Sequence, residues 1–303
     1  MSKLILPKKS ILYNSNQRSW YSNRIKPIYL QALKIHTRMF HFFKYQGAGN
    51  DFVLIDNRQK VFKEHSNQAL IHLLCDRRFG IGADGLILLE AHPEYDFEMI
   101  YFNADGTEGS MCGNGGRCVV AFARFLGIVS EKCHFLAVDG PHEAIINKAG
   151  NWVELKMINV DTVNIQPDHY VLDTGSPHFI RFVADLEKLD VYREGKKIRY
   201  SAPYHEQGIN VNFIEKQENN LLIGTYERGV EDETLACGTG VTAAAISFAI
   251  AEPEKAKKQL AKGGITVQAK GGHLQVRFDQ TGTRFENIWL CGPAEKVYEG
   301  KWD

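Results

Sequence analysis

From residue 40 onward, short apolar runs broken by turn residues dominate the chain, and only three stretches carry the longer apolar periodicity of a helix. Extended segments are predicted at 43–45, 52–56, 85–90 and 97–102, the last followed by the turn Asn103-Ala104-Asp105-Gly106. Residues 66–76 place apolar side chains at helical spacing behind a capping Ser66, and Gly80 and Gly82 close that unit. The run 118–126 is apolar apart from Arg124, a buried helix stopped by Gly127, and strands return at 143–147 and 152–158. The second half repeats this order: strands near 178–183, 209–215 and 221–228, an alanine-rich helix over 241–251 ended by Pro253, then strands at 264–269, 273–278 and 286–291. A buried helix among many short strands, met twice, predicts an α+β protein of two pseudo-symmetric domains, each an antiparallel or mixed sheet wrapped around a central helix. The expected domains are 39–158 and 159–291, with a hinge near 157–161, a cleft between them and residues 292–303 returning to the first.

Composition narrows the class. With 44% hydrophobic and 24% charged residues the 303-residue chain is globular in character, and no stretch approaches the roughly 20 consecutive apolar residues of a membrane span. The net charge of zero conceals an asymmetry, because residues 1–38 carry eight Lys or Arg and no acid, leaving 28 basic against 36 acidic residues in the rest. So acidic a body is a poor match for nucleic acid. The leader is Ser/Arg-rich like a transit peptide but lacks a sustained amphipathic period, and it has no apolar core for secretion. Met39 opens a segment that already reads as a first strand, so residues 1–38 are expected to stand outside the fold as the product of an upstream start codon. Six cysteines without a Cys-x-x-Cys spacing argue against a disulfide scaffold and against zinc, and no signal for an oxidising compartment is present; a cytoplasmic location is expected.

Two of those cysteines share a phrase. Met111-Cys112-Gly113-Asn114-Gly115-Gly116-Arg117 and Ala236-Cys237-Gly238-Thr239-Gly240 each precede a small-residue helical run. One Cys-Gly-x-Gly is compatible with simple packing; its repetition at equivalent places in both halves points to one site built twice. A helix start leaves N–H groups unpaired and carries partial positive charge, which favours a thiolate beside it and an anion in front of it. If both helix starts face one cleft, a carboxylate held by both places its α-carbon between two sulfurs. That arrangement suits racemisation or epimerisation, one thiolate removing the α-proton and the opposing thiol returning another. No pyridoxal cofactor is expected, since its electron sink would make the paired cysteines redundant, and no metal, since the cysteine spacing already argues against zinc.

Six segments then resemble diaminopimelate epimerase: Gln46-Gly47-Ala48-Gly49-Asn50-Asp51-Phe52, Arg78-Phe79-Gly80-Ile81-Gly82-Ala83-Asp84-Gly85, Phe102-Asn103-Ala104-Asp105-Gly106, the two cysteine phrases, and Tyr226-Glu227-Arg228-Gly229. They run in order from Met39 to the C-terminus. The resemblance implies a cofactor-independent enzyme interconverting LL- and meso-diaminopimelate for lysine and peptidoglycan supply. Cys112 and Cys237 would be its acid/base pair, and the backbone of Gly113, Asn114, Gly238 and Thr239 its carboxylate cradle. Asn50, Asn103, Asn210, Glu227 and Arg228 would contact substrate, with the Glu227-Arg228 pair placed at the non-reacting end. It also implies a small-molecule substrate, and a homodimer, since members are often dimers.

Two departures stand out. Ser176-Pro177-His178 occupies the place of Asn-Pro-His, and Gly85 stands where some members have Gln. Ser176 is shorter than an amide, and for His178 two readings stand side by side, an orienter of a catalytic group or a buried structural histidine. Cys75, Cys118, Cys133 and Cys291 are expected to pack as small hydrophobes. The rival readings are a proline or hydroxyproline racemase of the same fold, and a redox-sensing or catalytically silent relative.

Overall fold

The computed structural model describes residues 39–64, 66–109 and 111–303; the expectations for residues 1–38 lie outside them. The first half runs β1 (Phe40–Gly47), β2 (Asn50–Asp56), α1 (Gln68–Cys75), β3 (Gly85–Glu90), β4 (Phe97–Asn103), α2 (Gly113–Phe125), β5 (Lys132–Ala137), β6 (Gly140–Ile146) and β7 (Trp152–Lys156). The second runs β8 (Asn164–Ile165), β9 (Tyr170–Asp173), β10 (Pro177–Val183), α3 (Val191–Arg199), β11 (Asn210–Lys216), β12 (Leu221–Glu227), β13 (Asp232–Thr234), α4 (Gly238–Ala251), α5 (Pro253–Leu260), β14 (Ile265–Ala269), β15 (Gly272–Thr281) and β16 (Arg284–Pro293). β17 (Glu295–Trp302) then pairs antiparallel with β1.

Strand pairing shows the repeat directly. β2 is parallel to β3, β3 antiparallel to β4, β4 parallel to β5, and β5, β6 and β7 follow antiparallel. In the same sequence β10 is parallel to β11, β11 antiparallel to β12, β12 parallel to β14, and β14, β15 and β16 follow antiparallel. Each parallel step is bridged by a helix, as a parallel connection requires: α1 and α2 in the first half, α3 and the α4–α5 pair in the second. β16 also pairs with β7, which joins the two halves in one continuous 17-stranded sheet among the described residues.

Helices α2 and α4 are the centres of the two wraps because they have almost no polar face. Every residue from Gly113 to Ala123 is buried, as are most of α4's residues up to Ala249. A helix apolar all round must be surrounded. A single buried cluster runs from Phe43 and Phe122 through Val241 and Phe248, joining both halves. Phe122 is fully buried with its ring 4.8 Å from Phe43 and 5.8 Å from Tyr45. Phe122→Ala is expected to cost about 3–5 kcal/mol of stability through the cavity it leaves; chemical denaturation of variant and parent, compared at equal slope, checks this.

Several elements differ from expectation. The cap of α1 is Asn67, whose Oδ1 accepts from Leu70 N at 3.0 Å, one residue beyond the expected Ser66. Pro253 ends α4 as expected, yet it also opens α5 at its first position, where its missing N–H costs nothing. α3 and β17 were not anticipated, because neither carries an apolar stripe: α3 buries only Val191 and Gly195, and β17 is exposed along most of its length.

Candidate active site

The two cysteines occupy the cap positions of α2 and α4 in extended backbone conformation, and no side chain caps either helix. The first-turn N–H groups of Asn114 and Gly115 bear on the Cys112 sulfur and that of Gly240 on Cys237, as expected of unpaired donors at a helix start. The helix starts abut. A Cβ on Gly238 would lie 3.6 Å from the Gly113 Cα, in van der Waals contact, and 2.8 Å from Leu290 Cδ2, whose side chain would have to shift. In front of them opens a cleft of about 770 Å³.

Of the residues singled out in sequence, Asn50, Asn103, Cys112, Gly113, Asn114, Ser176, Asn210, Glu227, Arg228, Cys237, Gly238 and Thr239 all line this cleft. Local structure explains the placement. The β1–β2 hairpin turns on Ala48 and Gly49, both at positive φ (52° and 82°), a two-residue turn whose twist suits a hairpin, and it delivers Asn50 at the start of β2. Asn103 ends β4 and Glu227 ends β12, while Asn210 opens β11. Asn50 Oδ1 receives the Asn114 amide at 3.3 Å and lies 3.7 Å from Cys112 Sγ. Asn210 Oδ1 accepts from Arg228 N at 2.9 Å, holding the Glu227-Arg228 corner.

His178 does not reach the cleft. It is fully buried behind Thr239, with Nε2 2.8 Å from Thr239 Oγ1 and 3.0 Å from Ser176 Oγ, and Nδ1 3.0 Å from Asn212 Nδ2. Asn212 Nδ2 also donates to Phe179 O at 3.1 Å, which fixes the amide orientation, so His178 accepts at Nδ1 and carries its proton on Nε2. Thr239 Oγ1 in turn lies 3.4 Å from Cys237 Sγ. Ser176 joins this string, bonded also by the Asn210 amide at 3.0 Å. The two readings of His178 thus merge into a buried histidine hydrogen-bonded to the hydroxyl beside a cysteine.

Burial holds His178 down to a pKa of about 3, with the positive charge of Arg228 acting in the same direction. Its folded value lies below the ordinary 6.5, so the unfolded chain takes up the proton first as pH falls. The stability contributed by neutral His178 is complete above pH 6.5 and is lost on the way down toward pH 3. Unfolding free energy is expected to fall by up to about 1.4 kcal/mol per pH unit across that window. Denaturant titrations at several pH values check this, and a His178→Asn variant should show a correspondingly shallower decline.

The thiols themselves depart from the simple helix-start expectation. Burial, followed by the negative charge of Glu227, pushes Cys237 up to about 12 against the opposing effects of Thr239 and the Gly240 N–H. Cys112 is also raised, by burial first, although the Gly115 and Asn114 N–H groups favour its thiolate. Desolvation outweighs the helix ends, and Glu227 adds to it at both sulfurs. Glu227, which the resemblance assigns to the non-reacting end of the substrate, thus also acts electrostatically on both thiols. Its own carboxyl is raised by burial.

Sequence reasoning missed several lining residues. Arg77 donates to both oxygens of Asp51, at 2.9 and 2.6 Å, and to Asp84 at 2.7 Å; Asp84 in turn accepts from the Asn50 amide at 2.6 Å. Asp51 is ion-paired with buried Lys44 at 2.8 Å, and its carboxyl stays well below the usual range because these hydrogen-bonded cations outweigh burial. Tyr101 lines the cleft where a side chain at Gly85 would otherwise stand: a Cβ there would meet its ring at 2.5 Å. The charge alternation Asp51, Arg77, Asp84 was the available signal for this cluster.

The fold is shared with solved structures of low sequence identity. A phenazine biosynthesis protein of the PhzF family from Bacillus anthracis aligns at a TM-score of 0.66 and 14% identity, over 88% of this chain and 99% of its own. A hydroxyproline epimerase from Agrobacterium vitis, solved with trans-4-OH-L-proline, aligns at 0.62 and 14%, over 88% and 93%. With these neighbours, the repeated sheet-and-helix halves and the cleft between their cysteine-headed helices define the class as a diaminopimelate epimerase-like α+β protein. The family model for diaminopimelate epimerase matches residues 42–163 and 170–297. A diaminopimelate epimerase from Flavobacterium psychrophilum is 52% identical over 258 residues, covering 85% of this chain and 98% of the relative. One from Aquifex aeolicus is 37% identical over 278 residues, covering 86% and 96%. The chain belongs to the diaminopimelate epimerase family.

Proposed function

We propose that this isomerase interconverts LL- and meso-2,6-diaminopimelate, in lysine and peptidoglycan precursor supply, by a two-base mechanism in which Cys112 and Cys237 act on opposite faces of one α-carbon. The observation that carries the mechanism is the pair of uncapped, abutting helix starts, each headed by a cysteine. The N–H groups of Gly113, Asn114, Gly238 and Thr239 would receive the α-carboxylate, and the two helix ends would stabilise the negative charge that develops on proton removal.

Glu227 gives the substrate a way to prepare its own catalyst. Its charge opposes ionisation of both thiols. An α-ammonium placed against it cancels that charge, so substrate binding favours ionisation of one thiol. The thiolate takes the α-proton and the opposing thiol delivers its proton to the other face. The enzyme is left with the two protonation states exchanged, ready for the reverse reaction. Asn50, Asn103, Asn210 and Arg228 would hold the far end of the substrate, and the buried Asn212–His178–Thr239 string would orient Cys237. A cytoplasmic location, where reducing conditions keep both sulfurs free, belongs to the same reading.

The test is conversion of LL-diaminopimelate by the purified chain under reducing conditions, followed by separation of stereoisomers. Meso product is expected, with L-proline and trans-4-hydroxy-L-proline left unchanged. Turnover of either imino acid without any meso-diaminopimelate would contradict the reading.

A further inference from the structure

Arg117 is the largest fully buried side chain among the described residues, and no carboxylate among them pairs with it. Its guanidinium folds back to the start of its own helix, donating to Gly113 O at 3.2 Å and to Asn114 Oδ1 at 2.8 Å, while its Nε has no partner. Three costs coincide here. A buried charge without a counter-ion is strongly unfavourable, an unbonded buried N–H adds to it, and a cation at the positive end of a helix is repelled by the dipole. The fold nonetheless makes room for it: a Cβ at Gly292 would stand 3.2 Å from the Arg117 Nε. What faces this charge is the site. Asn114, which it holds, donates across the cleft to Ala236 O at 3.0 Å and to Asn50 Oδ1 at 3.3 Å. The titratable groups around it are three thiols, Cys118 and Cys112 on and before α2 and Cys291 on β16.

We propose that Arg117 is the buried counter-cation of the site, a positioning residue whose charge is balanced only when the cleft holds its anions, the Cys112 thiolate and the substrate carboxylate. It acts through the first turn of α2, orienting Asn114 and supplying a fixed positive charge that helix dipoles alone do not reach. Burial pulls the pKa of the guanidinium down, as expected for a cation lacking its partner. The proposal rests on the two-thiol reading of the site, and it separates from that reading because Cys112 ionisation can be followed without turnover.

The experiment compares the full chain with Arg117→Met and Arg117→Lys by three readouts: thermal midpoint, the pH dependence of iodoacetamide alkylation at Cys112 resolved by peptide mass spectrometry, and kcat/KM. A buried cation without a counter-ion adds nothing to stability, so Arg117→Met should melt no lower than the parent. Its Cys112 alkylation midpoint should move up by about one pH unit, and kcat/KM should fall roughly 100-fold, comparable to loss of one preorganised donor. Arg117→Lys keeps the charge without the fork and should hold the alkylation midpoint near that of the parent. An unchanged midpoint in Arg117→Met, or a variant that melts well below the parent or fails to fold, would overturn the proposal and leave Arg117 as a structural residue. A parent chain inactive on diaminopimelate would overturn the functional reading instead, while the alkylation midpoints would still decide for or against Arg117.

Discussion

Replacing either Cys112 or Cys237 by alanine is expected to abolish epimerisation, lowering kcat/KM by on the order of 10,000-fold or more, the upper range for removal of a general acid or base. The two losses should be of similar size, because inversion needs a proton taken from one face and another given to the opposite face. A Cys→Ser change at one position leaves the other thiol able to remove and return a proton on its own face. Each serine variant should therefore exchange the α-hydrogen of one stereoisomer with solvent while forming little of the other. Cys112 and Cys237 precede Gly113 and Gly238, whose backbones pack against each other, so the two sulfurs are held by neighbouring helix starts rather than by mobile loops. Turnover near the parental rate in either alanine variant would remove one cysteine from the mechanism. Measurement of the forward rate from LL- and from meso-diaminopimelate for all four variants makes the comparison complete.

Glu227→Gln is expected to drive two observables in opposite directions. The carboxylate raises both thiols in the free enzyme, so its neutralisation should lower them and speed alkylation of Cys112 and Cys237 near neutral pH, by up to about tenfold for each unit of pKa recovered. Epimerisation should nevertheless fall by roughly 100- to 1,000-fold, since the substrate ammonium loses its partner in a largely buried position. A group with a purely structural role would not make the thiols more reactive while making the enzyme slower. The pH profile of kcat/KM adds a check: the ascending limb, which reports ionisation in the free enzyme, should move to lower pH in the variant. Alkylation no faster than in the parent would mean that Glu227 does not control the thiols.

Much of this site was legible in the sequence because its chemistry is carried by backbone-permissive residues in short phrases. Gly113 and Gly238, where an added Cβ would press on Leu290, and the left-handed Ala48-Gly49 turn are such positions, and glycines of this kind announce themselves. The buried helices were equally visible, since a nearly all-apolar run leaves no other choice. What escaped lies in long-range geometry. His178 and Asn212 are 34 residues apart and meet only because β10 and β11 pair in parallel, with Asn210 opposite His178 and Asn212 two residues further along the same face. Arg117 was read as part of a motif, and nothing local says that its guanidinium is sealed inside without a carboxylate. The helix-start rule for thiols was physically sound but incomplete: burial and Glu227 act against it, and only the packed structure shows which effect is larger. Strand β17 lacks a periodic signal because its residues face solvent, yet its ladder to β1 is complete from Phe40 to Gln46 apart from one bulge.

The most direct test of the two-thiol account is the isotope content of substrate and product at early times in D₂O. LL-diaminopimelate is mixed with enzyme under reducing conditions, quenched while conversion is small, and both stereoisomers are analysed by proton NMR and mass spectrometry. Two separate acid/base groups predict meso product carrying one deuterium at the inverted α-carbon and residual LL substrate retaining its protium. Meso product that keeps the original proton, or LL substrate that exchanges ahead of inversion, would show a single base working on both faces and contradict the account.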